Sequence, residues 1–236
     1  MKKLIIGLDL SFNSTGICVT LFNENNVAQK MEFYKILFDS EHNITSKQYT
    51  PHEIKNVNQI IYKMPTNILV DDLLLTEQKN DKEQLQSTLK AMICSKKIVA
   101  LLNKIIIKYK PDTIIYSFEN YIMPAFAGKN QLKTVSGLIT LQGLIREKVI
   151  MLSKTHNTHI KLTCPTPSAN KNNFTSDGKA DKQKMIDTFI KHYDGNKLLP
   201  NLSVGKIDDL IDAFSLMVWG YSHYLKQKEK EIIPII

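Results

Sequence analysis

The sequence predicts a mixed α/β fold in which a five-stranded sheet is covered by helices on both faces. Two patterns support this prediction. Three short apolar segments rich in β-branched residues follow one another before residue 40, separated by polar turns. Beyond residue 81, long segments with apolar residues at spacings of three and four alternate with short apolar segments. We therefore expect three antiparallel strands, followed by strands that are added in parallel.

The first three strands are predicted over residues 4–8, 17–22 and 31–38. Ser, Asn, Thr and Gly residues separate the first two, which is typical of a hairpin turn. Residues 39–81 are predicted to be an insertion with little regular structure, because polar residues dominate and two prolines interrupt the pattern. His42 and His52 lie there without a ligand cluster, so we expect them to be solvated rather than metal-bound.

The second half of the chain predicts four long helices, two strands and a loop. The helices are predicted over residues 82–110, 131–154, 181–193 and 208–228, the strands over residues 112–118 and 159–164, and the loop over residues 165–178. The length and the absence of repeats predict one domain spanning residues 1–236, with the insertion at about 39–81.

The composition excludes some classes of protein and favours others. Of the 236 residues, 43% are hydrophobic and 23% are charged, which is ordinary for a globular chain and excludes a disordered or collagen-like one. The 31 Lys and Arg residues outnumber the 23 Asp and Glu residues, giving a formal charge of +8. This balance favours an anionic partner such as nucleic acid.

The cysteines and the N-terminal segment bear on location. The three cysteines are widely spaced without a CxxC pair, which indicates neither a disulfide framework nor a zinc site. Asp9 interrupts the first apolar run too early for a signal peptide, and no run reaches membrane-spanning length. We expect a protein of the cytoplasm, the nucleus or viral replication sites in a host cell, without a membrane partner.

Asp9 is the unusual residue of the first strand. A carboxylate in an otherwise apolar central strand is costly unless something pairs with it. A metal ion would compensate that cost. The alternative is a structural Asp that caps the following turn, and the first strand alone does not separate the two.

Three further acidic positions point to the same chemistry. Glu119 ends the strand at 112–118, and Asp209 and Asp212 lie in an apolar helix that should pack on the sheet. At spacing i, i+3 they share a helix face, where a cation would relieve their repulsion. Asp208, four residues before Asp212, could replace or supplement Asp209. All three also suit a helix N-terminus, where the dipole favours acids without any metal.

Carboxylate oxygens are the ligands that hard divalent cations prefer, so the predicted cofactor is a pair of Mg2+ ions, for which Mn2+ can substitute. Two such ions about 4 Å apart would clamp a phosphodiester. One would activate water, and the other would stabilise the leaving oxygen. No small-molecule substrate is predicted.

The order of these acids, and the sequences around them, resemble the RuvC family of Holliday junction resolvases. GLDLSFNSTG around Asp9 is similar to the family's first motif, a strand carrying an Asp before a small turn with Thr-Gly. FEN, containing Glu119, resembles the second motif. DDLIDAF resembles the fourth, an Asp-x-x-Asp-Ala pattern with Asp209 and Asp212. The resemblance implies an RNase H-like mixed five-stranded sheet flanked by helices, with these four acids as catalytic and metal-binding residues.

The third motif brings two lysines into the predicted site. DGKADKQKM is similar to the family's Gly-x-Ala-x-Lys-x-x-Val segment, which matches Lys182 to the family's conserved lysine. Counting back without a gap matches Lys171 to the family's other functional lysine. A lysine near the scissile phosphate would stabilise developing negative charge.

Two features depart from the family's pattern. The insertion at 39–81 is longer than in bacterial members, and the interval from Glu119 to Asn130 exceeds the usual one. The second departure alters the loop that presents an aromatic residue to the junction, for which Tyr121 and Phe126 are both candidates.

Other lysines are predicted to contact DNA without reading its sequence. Such residues could neutralise non-scissile phosphates, although a solvated helix face is the alternative for each. They are Lys129, Lys133, Lys179 and Lys184.

Three rival functions fit parts of the sequence. GLDLSFNSTG also resembles the phosphate-binding hairpin of actin-like kinases and ATPases, but these need two related domains and a second glycine-rich loop, which we do not find. A nuclease of the same fold acting on other branched DNA or on RNA–DNA hybrids would carry similar catalytic residues. A non-catalytic DNA-binding protein would gain nothing from carboxylates facing phosphates.

The resemblance implies a metal-dependent endonuclease that resolves four-way DNA junctions by paired phosphodiester hydrolysis. It also implies a homodimer, because the family makes paired symmetric nicks, and the helix predicted at 131–154 has apolar residues to offer an interface. The abundance of Lys and Asn, with the long insertion, suits a virus or phage with an AT-rich genome.

Overall fold

A computed structural model describes residues 1–39, 56–64, 79–121, 129–200 and 207–231. Six strands and six helices lie in these ranges. In chain order they are β1 (Lys3–Asp9), β2 (Ser14–Phe22), β3 (Ala28–Asp39), β4 (Val57–Lys63), α1 (Lys79–Tyr109), β5 (Thr113–Phe118), α2 (Lys129–Thr155), β6 (His159–Thr163), α3 (Pro167–Thr175), α4 (Lys182–Tyr193), α5 (Gly195–Leu198) and α6 (Asp208–Glu231).

The strands form one mixed sheet in the order β4-β3-β2-β1-β5-β6. β1, β2 and β3 pair antiparallel, and β5 and β6 are added in parallel beside β1. The predicted fold class is therefore confirmed: three antiparallel strands precede parallel additions, and helices flank the sheet. β1 has a partner on both sides, and its apolar residues are buried on both faces.

The sheet has one strand more than predicted. β4 lies within the segment that was expected to have little regular structure, and it pairs in parallel with β3. It is an edge strand whose residues are half-buried or exposed, so its hydrophobic pattern is weak. Residues 40–55 and 65–78 of the predicted insertion, including His42 and His52, lie outside the described residues.

Helices cover both faces of the sheet and give the molecule two apolar cores. α1 and α2 pack over one face, where Leu102 and Leu141 are fully buried. α3, α4 and α6 cover the other face, where Phe189 and Phe214 are buried. No helix in the described ranges is long and apolar enough to cross a membrane.

α3 lies where the sequence predicted a loop, and that part of the prediction is wrong. The hydroxyl of Thr166 caps the helix by accepting a hydrogen bond from the N–H of Ala169 at 3.2 Å, and Pro167 takes the first helical position. Only Asn170 and Phe174 of this helix are buried. With so few buried residues, no apolar period marks the helix in the sequence.

Two glycines let α6 lie directly on the sheet. A Cβ at Gly7 of β1 would lie 1.9 Å from the carbonyl oxygen of Ala213, and one at Gly16 of β2 would lie 2.0 Å from that of Asp209. A side chain at either position would push the helix away. The glycines therefore bring the acidic first turn of α6 onto the end of β1.

Candidate active site

Asp9 and Glu119 emerge at the same edge of the sheet. β1 and β5 run in parallel, with Leu8 opposite Phe118. The next residue of each segment, Asp9 or Glu119, therefore lies at the same edge, and both side chains start on the same face. Both are partly buried. The sequence resemblance predicted this pairing of motifs, and the sheet register brings the two residues together.

α6 contributes Asp212 to this edge, and α3 braces the helix there. The hydroxyl of Ser215 donates a hydrogen bond to the backbone carbonyl of Asp212 at 2.8 Å. The side-chain amide of Asn170, which is buried in α3, donates to the same hydroxyl at 2.8 Å. Asn170 precedes Lys171, so this chain of bonds fixes the helix that carries Lys171 beside the acidic turn.

Burial and neighbouring acids disfavour the ionisation of all three carboxyl groups. Burial, and then the charges of Asp212, Glu119 and Asp209, raise the pKa of Asp9 well above its usual range. Burial and Asp212 raise the pKa of Glu119 to about 7. Burial and then the charge of Asp208 raise the pKa of Asp212 to about 6. Carboxyl groups this crowded are stabilised in their charged form by an added cation.

The donor chemistry of Asp9, Glu119 and Asp212 fits a hard divalent cation, because it consists of carboxylate oxygens in a partly desolvated cluster. Over the part of the chain that the structure describes, no group of three or more His, Cys, Asp or Glu side chains already forms a metal-binding set.

Asp209 faces the antiparallel side of the sheet. Its Oδ2 accepts a hydrogen bond from the hydroxyl of Ser14 on β2. Its Oδ1 forms an ion pair with the ammonium of Lys35 on β3, at 3.0 Å. Both carboxylate oxygens of Asp209 are therefore engaged by residues of the sheet.

Asp208 faces the other way, toward α4. Its Oδ2 forms an ion pair with Lys182 Nζ at 2.5 Å. The Lys182 side chain is 72% exposed, whereas that of Asp208 is 15% exposed. Asp208 raises the pKa of Asp212 more than Asp209 does. Asp209, and not Asp208, is among the acids that raise the pKa of Asp9. The first turn of α6 thus divides its acids between two sides.

Both predicted catalytic lysines come near the acids. Lys182 begins α4, and its charge acts on both Asp9 and Asp212. Lys171 donates a hydrogen bond to the carbonyl of Ala180 at 2.8 Å, and its charge opposes the raised pKa of Glu119. The two lysines flank the loop between α3 and α4.

Tyr121 is part of the site, but it is turned inward. Its hydroxyl donates a hydrogen bond to the carbonyl of Leu10 at 3.0 Å. Burial, and then the charges of Asp9 and Glu119, raise its pKa. This bond ties the loop after Glu119 to the turn after Asp9. The predicted contact of Tyr121 with DNA stays a prediction.

The remaining predicted DNA contacts either meet Asp177 or lie outside the described structure. Lys184 Nζ pairs with Asp177 at 2.7 Å, and the backbone N–H of Lys179 donates to the same carboxylate at 2.9 Å. Phe126 lies outside the described residues. Lys129 and Lys133 lie in α2, but their side chains are outside the described structure.

Sequence reasoning missed Lys35, Gln142 and Asn170. The side-chain amide of Gln142 donates to the backbone carbonyl of Glu119, which fixes the end of β5 against α2. Lys35 could have been found by counting the hairpin register from Asp9 through Gly16 to β3. No sequence signal marks the other two, whose partners lie 23 and 45 residues away along the chain.

No protein-family model matches the sequence, and no curated protein matches it. Solved structures to which the chain is similar include RuvC of Thermus thermophilus, at 11% identity over 96% of each chain and a TM-score of 0.45. The yeast mitochondrial Holliday junction resolvase is 16% identical, over 97% of this chain and 84% of that chain, with a TM-score of 0.40. The fowlpox virus resolvase, in complex with its substrate Holliday junction DNA, is 14% identical, over 94% of this chain and 99% of that chain, with a TM-score of 0.36. These are the kind of protein that the motifs resembled. Similarity at this level assigns no role to any residue of this chain.

Proposed function

We propose that the protein is a metal-dependent, structure-specific endonuclease that resolves four-way DNA junctions by paired phosphodiester hydrolysis. The convergence of Asp9, Glu119 and Asp212 at one edge of the sheet carries the proposal, since each has a pKa raised by burial and by a neighbouring acid. Acids so crowded, on a protein of net charge +8, suit a site that binds a phosphodiester through cations.

Asp9, Glu119 and Asp212 would hold two Mg2+ or Mn2+ ions, with Asp209 or Asp208 as a further ligand. When bound, the ions supply an activated water and stabilise the leaving oxygen. The work of the protein is to fix the carboxylates. β1 and β5 set Asp9 and Glu119 in register, and the packing of α6 on Gly7 and Gly16 brings Asp212 to the same edge.

The two lysines bring positive charge to the same edge. Lys182 is mostly exposed, so its ammonium can leave Asp208 for a phosphate oxygen of the substrate. Lys171 is held by the carbonyl of Ala180, so its charge stays near Glu119 and Asp212. We assign both lysines to stabilising negative charge on the scissile phosphate.

The junction backbone would be bound by residues around this edge, with an affinity that falls as salt rises. The proposed contacts are Lys129, Lys133, Lys179, Lys184, Tyr121 and Phe126. Paired nicks need two active sites, so the proposal includes a homodimer. Ile150 and Met151, exposed by 39% and 55% on α2, are available for its interface. Such an enzyme would act in the cytoplasm, in the nucleus or at viral replication sites.

The test is cleavage of a panel of end-labelled substrates by the purified protein, in Mg2+ and separately in EDTA. The panel contains a four-way junction, a linear duplex, a replication fork and an RNA–DNA hybrid. We expect paired, symmetric nicks on the four-way junction alone, lost in EDTA. Cleavage of hybrids or of every branched substrate would assign the site to another nuclease activity, and no cleavage of any substrate would contradict the proposal.

A further inference from the structure

Asp9, Gly16 and Lys35 form one row across three strands. Asp9 of β1 is opposite Gly16 of β2, and Gly16 is opposite Lys35 of β3. Directly opposed residues of antiparallel strands share a face of the sheet. On the face of the sheet that α6 covers, the side chains of Asp9 and Lys35 therefore lie on either side of Gly16, which has no side chain.

Asp209 of α6 lies over Gly16 in this row. Its backbone carbonyl occupies the position that a Cβ of Gly16 would need. The charge of Asp209 acts unfavourably on Asp9 on one side, and its Oδ1 lies 3.0 Å from the ammonium of Lys35 on the other. Lys35 thus offsets a repulsion that the close approach of α6 creates.

The Lys35–Asp209 pair differs in burial from the other ion pair of the acidic turn. The side chains of Lys35 and Asp209 are only 13% and 12% exposed, whereas Lys182, which pairs with Asp208, is 72% exposed. An exposed pair is screened by water and contributes little. Removing one partner of a pair that is mostly shielded from water leaves the other partner's charge poorly solvated.

We propose that Lys35 is the internal counter-ion of the candidate active site. It neutralises Asp209 while no divalent cation is bound, and it competes with a cation for the Asp209 carboxylate. Only the competition with a cation rests on the proposed function, whereas the neutralisation of Asp209 does not. Lys35 is a positioning residue, because it acts on a cation through Asp209. Ser14 holds the second oxygen of Asp209 without adding charge.

The first experiment needs no metal. Folding equilibria are measured in EDTA for the wild type, Lys35→Met, Asp209→Asn and the double variant. Lys35→Met should lower the folding equilibrium constant by about tenfold or more, because the Asp209 carboxylate loses its positively charged partner. In the Asp209→Asn background the same change should cost much less. Lys30→Met is the control on the same strand: its partner is Glu32, so its cost should be equal with and without the Asp209 carboxylate.

The second experiment measures Mn2+ binding by calorimetry, and by the loss of the electron paramagnetic resonance signal of free Mn2+. Lys35→Met should bind Mn2+ at least about threefold more tightly than the wild type, because a competing positive charge is gone. Ser14→Ala and Lys30→Met should not bind more tightly. Mn2+ should also restore more thermal stability to Lys35→Met than to the wild type.

The outcomes separate this inference from the proposed function. Equal costs of Lys35→Met in both backgrounds would overturn the counter-ion role, even in a protein that cuts junctions. Unchanged or weaker Mn2+ binding by Lys35→Met would overturn the competition. Wild-type protein that binds no Mn2+ but shows the coupling would overturn the metal part together with the proposed function, and would support the neutralising role of Lys35.

Discussion

The α-carbon of Gly16 lies against the backbone carbonyl of Asp209, so closely that a Cβ on Gly16 would lie 2.0 Å from that oxygen. Gly16 is also the β2 partner of Asp9. Together with Gly7, Gly16 therefore allows the short distance between the acid of β1 and the acids of α6.

Gly16→Ala should push α6 away from β1 and separate Asp212 from Asp9. We expect a loss of about 3 kcal/mol in the free energy of unfolding, as for other overpacked cores, and a loss of cleavage activity. Urea denaturation and the junction assay measure the two effects. Gly143→Ala in α2 is the control, because nothing lies within 4 Å of its Cβ position. It should be neutral or stabilising by up to about 1 kcal/mol.

Asp9→Asn should reduce junction cleavage by at least about 1000-fold while junction binding, measured by gel shift, is preserved. The reason is that Asn cannot supply the carboxylate charge that holds a cation, whereas the proposed contacts with the DNA backbone do not involve Asp9. Asp187→Asn removes an exposed acid from α4 and should keep full activity. Cleavage retained by Asp9→Asn would remove Asp9 from the active site.

The metal-free protein should become less stable as pH rises through the range in which Glu119 and Asp212 ionise. Burial and neighbouring acids raise the pKa of Glu119 to about 7 and that of Asp212 to about 6 in the folded state. Between the unfolded pKa values near 4 and these values, the folded state binds more protons than the unfolded state, so stability falls with pH. We expect a loss of at least about 2 kcal/mol between pH 4.5 and pH 8 in EDTA.

Chemical denaturation at a series of pH values measures this slope. The variant Glu119→Gln, combined with Asp212→Asn, should reduce it and leave the part that the buried Asp9 contributes. Saturating Mn2+ should reverse its sign, because a cation favours the ionised carboxylates. A slope unchanged in the double variant would contradict the crowding of these acids.

A different carboxylate should govern stability in acid. Lys108, Tyr34, Tyr109 and Lys30 hydrogen-bond to Glu32 and, against the effect of burial, lower its pKa to about 2. Glu32 should therefore stabilise the fold fully above about pH 4.5 and lose that effect as pH falls toward 2.

Glu32→Gln should cost about 1 to 2 kcal/mol at pH 7, after allowance for solvent screening of the exposed partners. Urea denaturation should show the variant and the wild type converging near pH 2. A cost that is the same at both pH values would show that packing, and not charge, is lost.

The order of the strands and helices along the chain, and the positions of the acids at the ends of these elements, could be predicted from the sequence, because both leave local patterns. The apolar run of β1 made Asp9 stand out, and the strand β5 ended at Glu119. Apart from β4 and α3, the elements begin and end within about three residues of the prediction, and the short α5 was not predicted. Both β4 and α3 have few buried apolar residues, so neither shows a period.

The division of work between Asp208 and Asp209 could not be predicted, because it depends on partners that are distant in sequence. Asp209 meets Ser14 and Lys35, which precede it by 195 and 174 residues. Asp208 meets Lys182, which precedes it by 26 residues. Helix periodicity gives both acids a place near Asp212, but only the packing of α6 on the sheet determines which way each one faces.

The central claim is that Asp9, Glu119 and Asp212 hold divalent cations. The most direct measurement is an anomalous difference map from a crystal of the protein grown or soaked with Mn2+, compared with the same map for Asp9→Asn. We predict strong peaks between these three carboxylates in the wild type and their loss in the variant. Mn2+ peaks found only elsewhere, or unchanged in Asp9→Asn, would contradict the account.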